Sequence, residues 1–127
     1  MVNGTALTPI RTISAVGSTE AAPTASSAFV TPQDHHHFTK ARVYFTQPTV
    51  GGSGTPTFTA TVWGKQGDAI VPLGTSVFTV GTHPRLPFVE IGSVPTAALF
   101  VTVAVSGGTT PTITTTAYAF LYNDWEA

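Results

Sequence analysis

From Phe38 to the end of the chain, apolar and polar residues alternate with a period of two, and no other feature constrains the fold as tightly. Alternation puts successive side chains on opposite faces of an extended strand, which suits a sheet buried on one side. Over 39–46, Ala41, Val43 and Phe45 share one face, and Arg42 and Tyr44 take the other. Over 57–63, Phe58, Ala60 and Val62 oppose three threonines and Trp63. Shorter runs follow at 77–80 and Phe88–Ile91, and then a strongly apolar one at 97–105 with Leu99, Val101, Val103 and Val105 in register. Over 112–122, Ile113, Thr115, Ala117, Ala119 and Leu121 alternate with Thr114, Thr116, Tyr118, Phe120 and Tyr122. β-Branched and aromatic residues dominate these runs, as a pleated surface favours. Between them lie glycine-rich breaks at 51–54, 64–68, Gly74, Gly81, Gly92 and 106–108, all read as turns or flexible loops. The spacing predicts an all-β fold, an antiparallel β-sandwich or jelly roll of about seven or eight strands.

Residues 1–37 read differently. Ala, Ser, Thr and Pro dominate, with two short β-prone islands at 12–16 and 28–31. Pro9, Pro23 and Pro32 hold the residues before them extended. Only Arg11 and Glu20 are charged before Asp34. The expected division is an extended arm over 1–37, either a flexible tail or partly strand and lying along a neighbouring sheet or subunit, followed by a β-sandwich over 38–127.

Charged residues make up 9% of the chain, far below the roughly 25% of ordinary soluble domains, so Thr, Ser, Gly and Gln must cover much of the surface. Hydroxyls are less costly to desolvate than charges, and interface cores are depleted in charge, so such a surface is suited to burial against a neighbour. A net charge of -1 with five scattered Lys and Arg offers no basic patch for nucleic acid. With no cysteine there is neither a disulfide framework nor a thiolate metal site. Residues 1–10 lack the pattern of a secretory leader, and no stretch approaches the roughly 20 apolar residues of a membrane helix. The expectation is a product of the cytoplasm, without membrane or nucleic-acid partners.

His35 and His37, in the run Asp34-His35-His36-His37, share one side of an extended backbone and are the candidate metal ligands. Two imidazoles are half a coordination shell, so the alternative is a loop leading into the first strong strand. His83, Asp68 and Glu90 would have to cluster to make a catalytic site, and no Gly-X-Ser-X-Gly elbow or evident carboxylate pair is present. The glycine-rich 50–55 lacks the lysine and following helix of a phosphate loop. No enzyme activity and no cofactor are expected. Trp63, Tyr44, Tyr118, Tyr122 and Trp125 are the candidate interface residues, because Tyr and Trp contribute interface energy out of proportion to their number. The same rings are also candidate stacking platforms for sugars.

The run Phe58-Thr59-Ala60-Thr61-Val62-Trp63-Gly64, the Gly67-Asp68 turn and Val71-Pro72-Leu73-Gly74-Thr75, preceded by a Thr/Ala-rich arm, resemble small phage head or tail accessory proteins with jelly-roll cores. The likeness lies in layout and covers about half the chain. It implies a virion protein of the capsid cement or decoration type. Its partners would be the major capsid protein, further copies of itself as a homodimer or homotrimer, or both. A tail-fibre, receptor-binding or carbohydrate-binding sandwich has much the same layout, with a glycan as partner.

Overall fold

The computed structural model describes residues 2–4, 7–32, 38, 40–46, 48–79, 87–91 and 98–124. Among them are nine strands and no helix: β1 (Val2–Gly4), β2 (Thr8–Val16), β3 (Lys40–Phe45), β4 (Thr49–Ser53), β5 (Thr57–Gln66), β6 (Ala69–Thr79), β7 (Phe88–Ile91), β8 (Ala98–Ser106) and β9 (Thr109–Asp124). They form two antiparallel sheets, one of six strands and one of three, and the protein is an all-β sandwich.

β9, with 16 residues, is the spine of the larger sheet. Along one edge it pairs with β2 and then β1, and along the other with β4 and then β3. β7 is added outside β3. The smaller sheet runs β6-β5-β8. The chain passes from β8 to β9, and so between sheets, through Gly107 and Gly108.

The alternation expected from the sequence is the alternation of burial. Ala41, Val43 and Phe45, then Phe58, Ala60 and Val62, then Leu99, Val101 and Val103, then Ile113, Ala117, Ala119 and Leu121 all turn into one core. Phe45 and Phe78 meet across the sheets, ring centroids 5.3 Å apart and close to edge-on. That geometry suits the aromatic quadrupole, and each such ring contributes about 1.5–3 kcal/mol by leaving water.

Three stretches read from the sequence as loop or turn are strand instead, one of them 64–66, which ends β5 and pairs with both β6 and β8. Thr49–Ser53 pairs with β9, although glycines occupy 51 and 52. Here glycine permits close approach: a Cβ on Gly52 would lie 2.8 Å from the Pro111 backbone, and its φ is +116°. Gly74 lies within β6, not at a turn, and a Cβ there would lie 2.5 Å from Val89 on β7. The missing side chain lets the edges of the two sheets come together.

Residues 8–32 are largely extended, apart from a turn at Thr24–Ser27, and the sheets they lie along are those of their own chain. β2 contributes Ile10 and Ile13 to the core, with Ile13 fully buried. Beyond it, residues 17–32 run along the outer edge of β8. The Glu20 amide donates to Val103 O at 2.9 Å, and Val30 exchanges two backbone hydrogen bonds with Leu99, each 2.9 Å. Side chains complete the pairing. The Val103 amide donates to Glu20 Oε1 at 2.9 Å, the Val105 amide to Thr19 Oγ1 at 3.0 Å, and Arg11 Nη1 to Val101 O at 2.8 Å.

Candidate functional site

The outer face of the six-stranded sheet gathers most of the side chains with binding chemistry. β3 presents Lys40, Arg42 and Tyr44, β9 presents Tyr118, Phe120 and Tyr122, and β7 presents Phe88 and Glu90. The register sets Tyr44 between Tyr118 and Phe88, and Arg42 between Phe120 and Glu90. Directly opposed residues on neighbouring strands share a face and touch, so two-residue steps along three strands build one continuous cluster.

Arg42 is its centre. Its guanidinium donates to Glu90 Oε1 from Nη2 at 2.6 Å and from Nε at 3.1 Å, and to the Tyr44 hydroxyl from Nη1 at 3.1 Å. It also lies over three rings, with centroids at 4.8 Å for Phe88, 5.6 Å for Tyr122 and 5.9 Å for Tyr44. The Tyr122 hydroxyl donates to the other Glu90 oxygen. These contacts fix the protonation states. The Arg42 hydrogen bond is the main reason that Glu90 is held below the usual carboxylate range, against the opposing effect of burial. Burial first, and then the bond to Glu90, push Tyr122 up. Arg42 is held more firmly protonated still, mainly by Glu90. Glu90, ionised and with both oxygens engaged, anchors the guanidinium and is not set up as a proton donor.

Beside this cluster, Leu7, Tyr44, Thr46 and Tyr118 line a shallow groove of about 270 Å³. Its walls are apolar apart from the hydroxyls. Leu7 and Phe88 are 52% and 47% exposed, unusual for residues so apolar, and they flank the rings on either side. A rigid surface of Tyr, Phe and a pre-oriented Arg is the composition from which binding hot spots are built.

Of the expected interface residues, Tyr44, Tyr118 and Tyr122 come together on this face. Trp63 does not. It lies on the smaller sheet, half-buried, with Nε1 donating to Thr102 Oγ1 at 2.8 Å. The chain covers part of that face itself: Phe29 packs on Phe100 at 5.5 Å, Lys65 lies over Phe29, and Lys65 Nζ donates to Ala25 O. Trp125, the candidate metal ligands His35 and His37, and His83 lie outside the described residues. Asp68 is exposed at the β5–β6 turn of the smaller sheet and Glu90 is on β7 of the larger one, so these two do not share a face. Among the described residues no group of three or more His, Cys, Asp or Glu is placed to hold a metal ion.

Sequence reasoning missed Arg42, Glu90 and Phe88 as members of the site. Arg42 and Glu90 each sit on the polar side of an alternating strand in a chain with few charges, and that was a usable sign of a cross-strand pair.

Comparison with protein-family models, with curated proteins and with solved structures finds no match.

Proposed function

We propose that the protein is a structural association module of a virus particle, of the capsid cement or decoration type, which docks on neighbouring capsid subunits through the outer face of its six-stranded sheet. The observation that carries this reading is the Arg42 cluster. One guanidinium, held by Glu90 and Tyr44 and ringed by Phe88 and Tyr122, forms a rigid, half-exposed platform flanked by bare apolar side chains. Such a platform loses little conformational entropy on docking, which leaves more of its contact energy for affinity. The low charge of the chain keeps desolvation modest, and many copies on one shell would add their contacts by multivalency. The resemblance to phage accessory proteins supplies the partner class.

Co-sedimentation of the protein with particles of the virus that encodes it, stripped of the native copies, tests this. Wild-type protein is expected to sediment with the particles. Arg42→Ala and Tyr118→Ala are expected to weaken binding by roughly tenfold or more, as truncated hot spots do. Binding unchanged in both variants would remove the face from the mechanism, and failure of the wild type to bind would remove the particle.

The groove lined by Tyr44, Tyr118, Thr46 and Leu7 favours a second reading, a receptor-binding or carbohydrate-binding module, because two tyrosines beside a hydroxyl suit the stacking of a sugar ring. Glycan-array binding that Tyr118→Ala abolishes would select it.

A further inference from the structure

We infer that the outer edge of β6 is a self-pairing surface, through which two copies of this chain join their three-stranded sheets into one. The inference does not depend on the particle reading.

Strand alternation identifies the groups that the edge offers. On β8, the backbone groups of Leu99, Val101, Val103 and Val105 point outward to residues 11–30, so those of Phe100, Thr102 and Ala104 point to β5. Their partners are Trp63, Thr61 and Thr59. Phe58, Ala60 and Val62 must then turn to β6, where they face Phe78, Ser76 and Gly74. That leaves the N–H and C=O of Thr75, Val77 and Thr79 directed at the open edge. Among the described residues, no strand pairs with this edge.

Edges are usually blunted by shortness, charge, proline, a bulge or a covering segment. β7, on the same side of the sandwich, is four residues long and carries Glu90. The edge of β8 is covered by residues 17–32. β6 runs for 11 residues without a single charge, and among the described residues no segment covers it. It is interrupted at Pro72, which lacks an N–H, and at Leu73, where the register with β5 shifts by one residue, so further pairing is limited to 74–79.

The occupant that fits is a second copy. An uncharged strand meets an identical uncharged strand without like-charge repulsion, and antiparallel pairing about a two-fold axis makes one patch complementary to itself. With Val77 on the axis, the two Val77 side chains, each 52% exposed in the single chain, cover one another. Thr75 of each copy then lies opposite Thr79 of the other. β-Branched pairs of this kind are favourable cross-strand neighbours.

Sedimentation equilibrium over a range of concentrations tests the inference. The expected mass rises to twice the 13.2 kDa of the chain. Val77→Lys and Val77→Glu, each placing like charges opposite one another, are expected to weaken self-association by about tenfold or more, and an equimolar mixture of the two to restore it. Circular dichroism reports whether each variant keeps its β fold, and the wild-type mass decides the matter if neither does. A wild type that stays monomeric overturns the inference. So does a dimer that Val77→Lys leaves intact, including one that Tyr118→Ala dissociates, which would lie on the other face. Failure of the mixture to recover overturns the pairing of Val77 with Val77.

Discussion

On the side of the sandwich where β2 and β8 lie, residues 17–32 run along the edge of β8 and occupy its hydrogen-bonding groups at Leu99, Val103 and Val105, while Arg11 takes the carbonyl of Val101. On the side where β6 and β7 lie, no described residue does the same for β6. Both edges belong to one three-stranded sheet, and neither strand carries a charged residue. The difference lies in what the chain supplies. A covering segment loses about 1–2 kcal/mol of backbone entropy per ordered residue, and here buried Pro32, half-buried Phe29 and Val30, the Arg11–Glu20 pair and the backbone bonds to β8 offset that loss. An edge finished in this way is closed to partners. An edge left bare stays open to them.

The comparison first predicts where the two sides should be alike. Inside the sandwich both are core, so Phe78→Ala on the open side is expected to cost about 3–5 kcal/mol and Ile13→Ala on the closed side about 2–5 kcal/mol, read by urea unfolding. If Ile13→Ala costs less than about 1 kcal/mol, β2 is not part of the cooperative core and the closed side is misassigned. The sides should then diverge at their edges. Glu20→Ala strips a partner from the Val103 amide and from Arg11, and is expected to cost about 1–3 kcal/mol. Val77→Lys, at an exposed position on the open edge, is expected to change the stability of the single chain by no more than about 0.5 kcal/mol.

Acid should separate the two carboxylates in the same way. Glu20 is held below its ordinary 4.5 chiefly by the hydrogen bond from Arg11, aided by the Val103 amide and opposed by burial. A carboxylate with a depressed folded-state pKa contributes stability that is complete above the unfolded value. That stability is lost as the pH falls through 4.5 toward the lower folded value. Glu20→Gln is therefore expected to flatten the fall in stability below pH 4.5. Glu90→Gln should flatten it less, because its side chain is 40% exposed against 23% for Glu20, and solvent screens the pair. Equal flattening would mean that the Arg11–Glu20 contact gains nothing from its partial burial.

Where inward residues follow at steps of two, the sequence was enough to assign strand and face: Ala41, Val43 and Phe45 on β3, Phe58, Ala60 and Val62 on β5, and the inner residues of β8 and β9. β2 breaks that rhythm. Its buried residues Ile10 and Ile13 are three apart, which a register shift between Pro9 and Arg11 accommodates, and a period-two reading cannot find such a strand. Gly51, Gly52 and Gly74 misled in the opposite direction. Each signals a turn by composition, and in the structure each sits in a strand that approaches a neighbour too closely for a side chain. The site was half legible. Tyr44, Tyr118 and Tyr122 could be named, but their convergence depends on β3 and β7 lying side by side next to β9, a long-range pairing that no local pattern records. Trp63 was separated from them for the same reason, since β5 belongs to the other sheet.

Amide hydrogen exchange tests the contrast between the two edges most directly, because it reads each of them in the unmodified protein. In dilute solution the amides of Leu99, Val103 and Val105 should be strongly protected by their bonds to Val30, Glu20 and Thr19. Those of Thr75, Val77 and Thr79 should exchange quickly, and should slow as concentration rises and the β6 edges pair. Equal protection at both edges in dilute solution, or rates at Thr75, Val77 and Thr79 that ignore concentration, would contradict the account of one edge closed by its own chain and the other kept for a second copy.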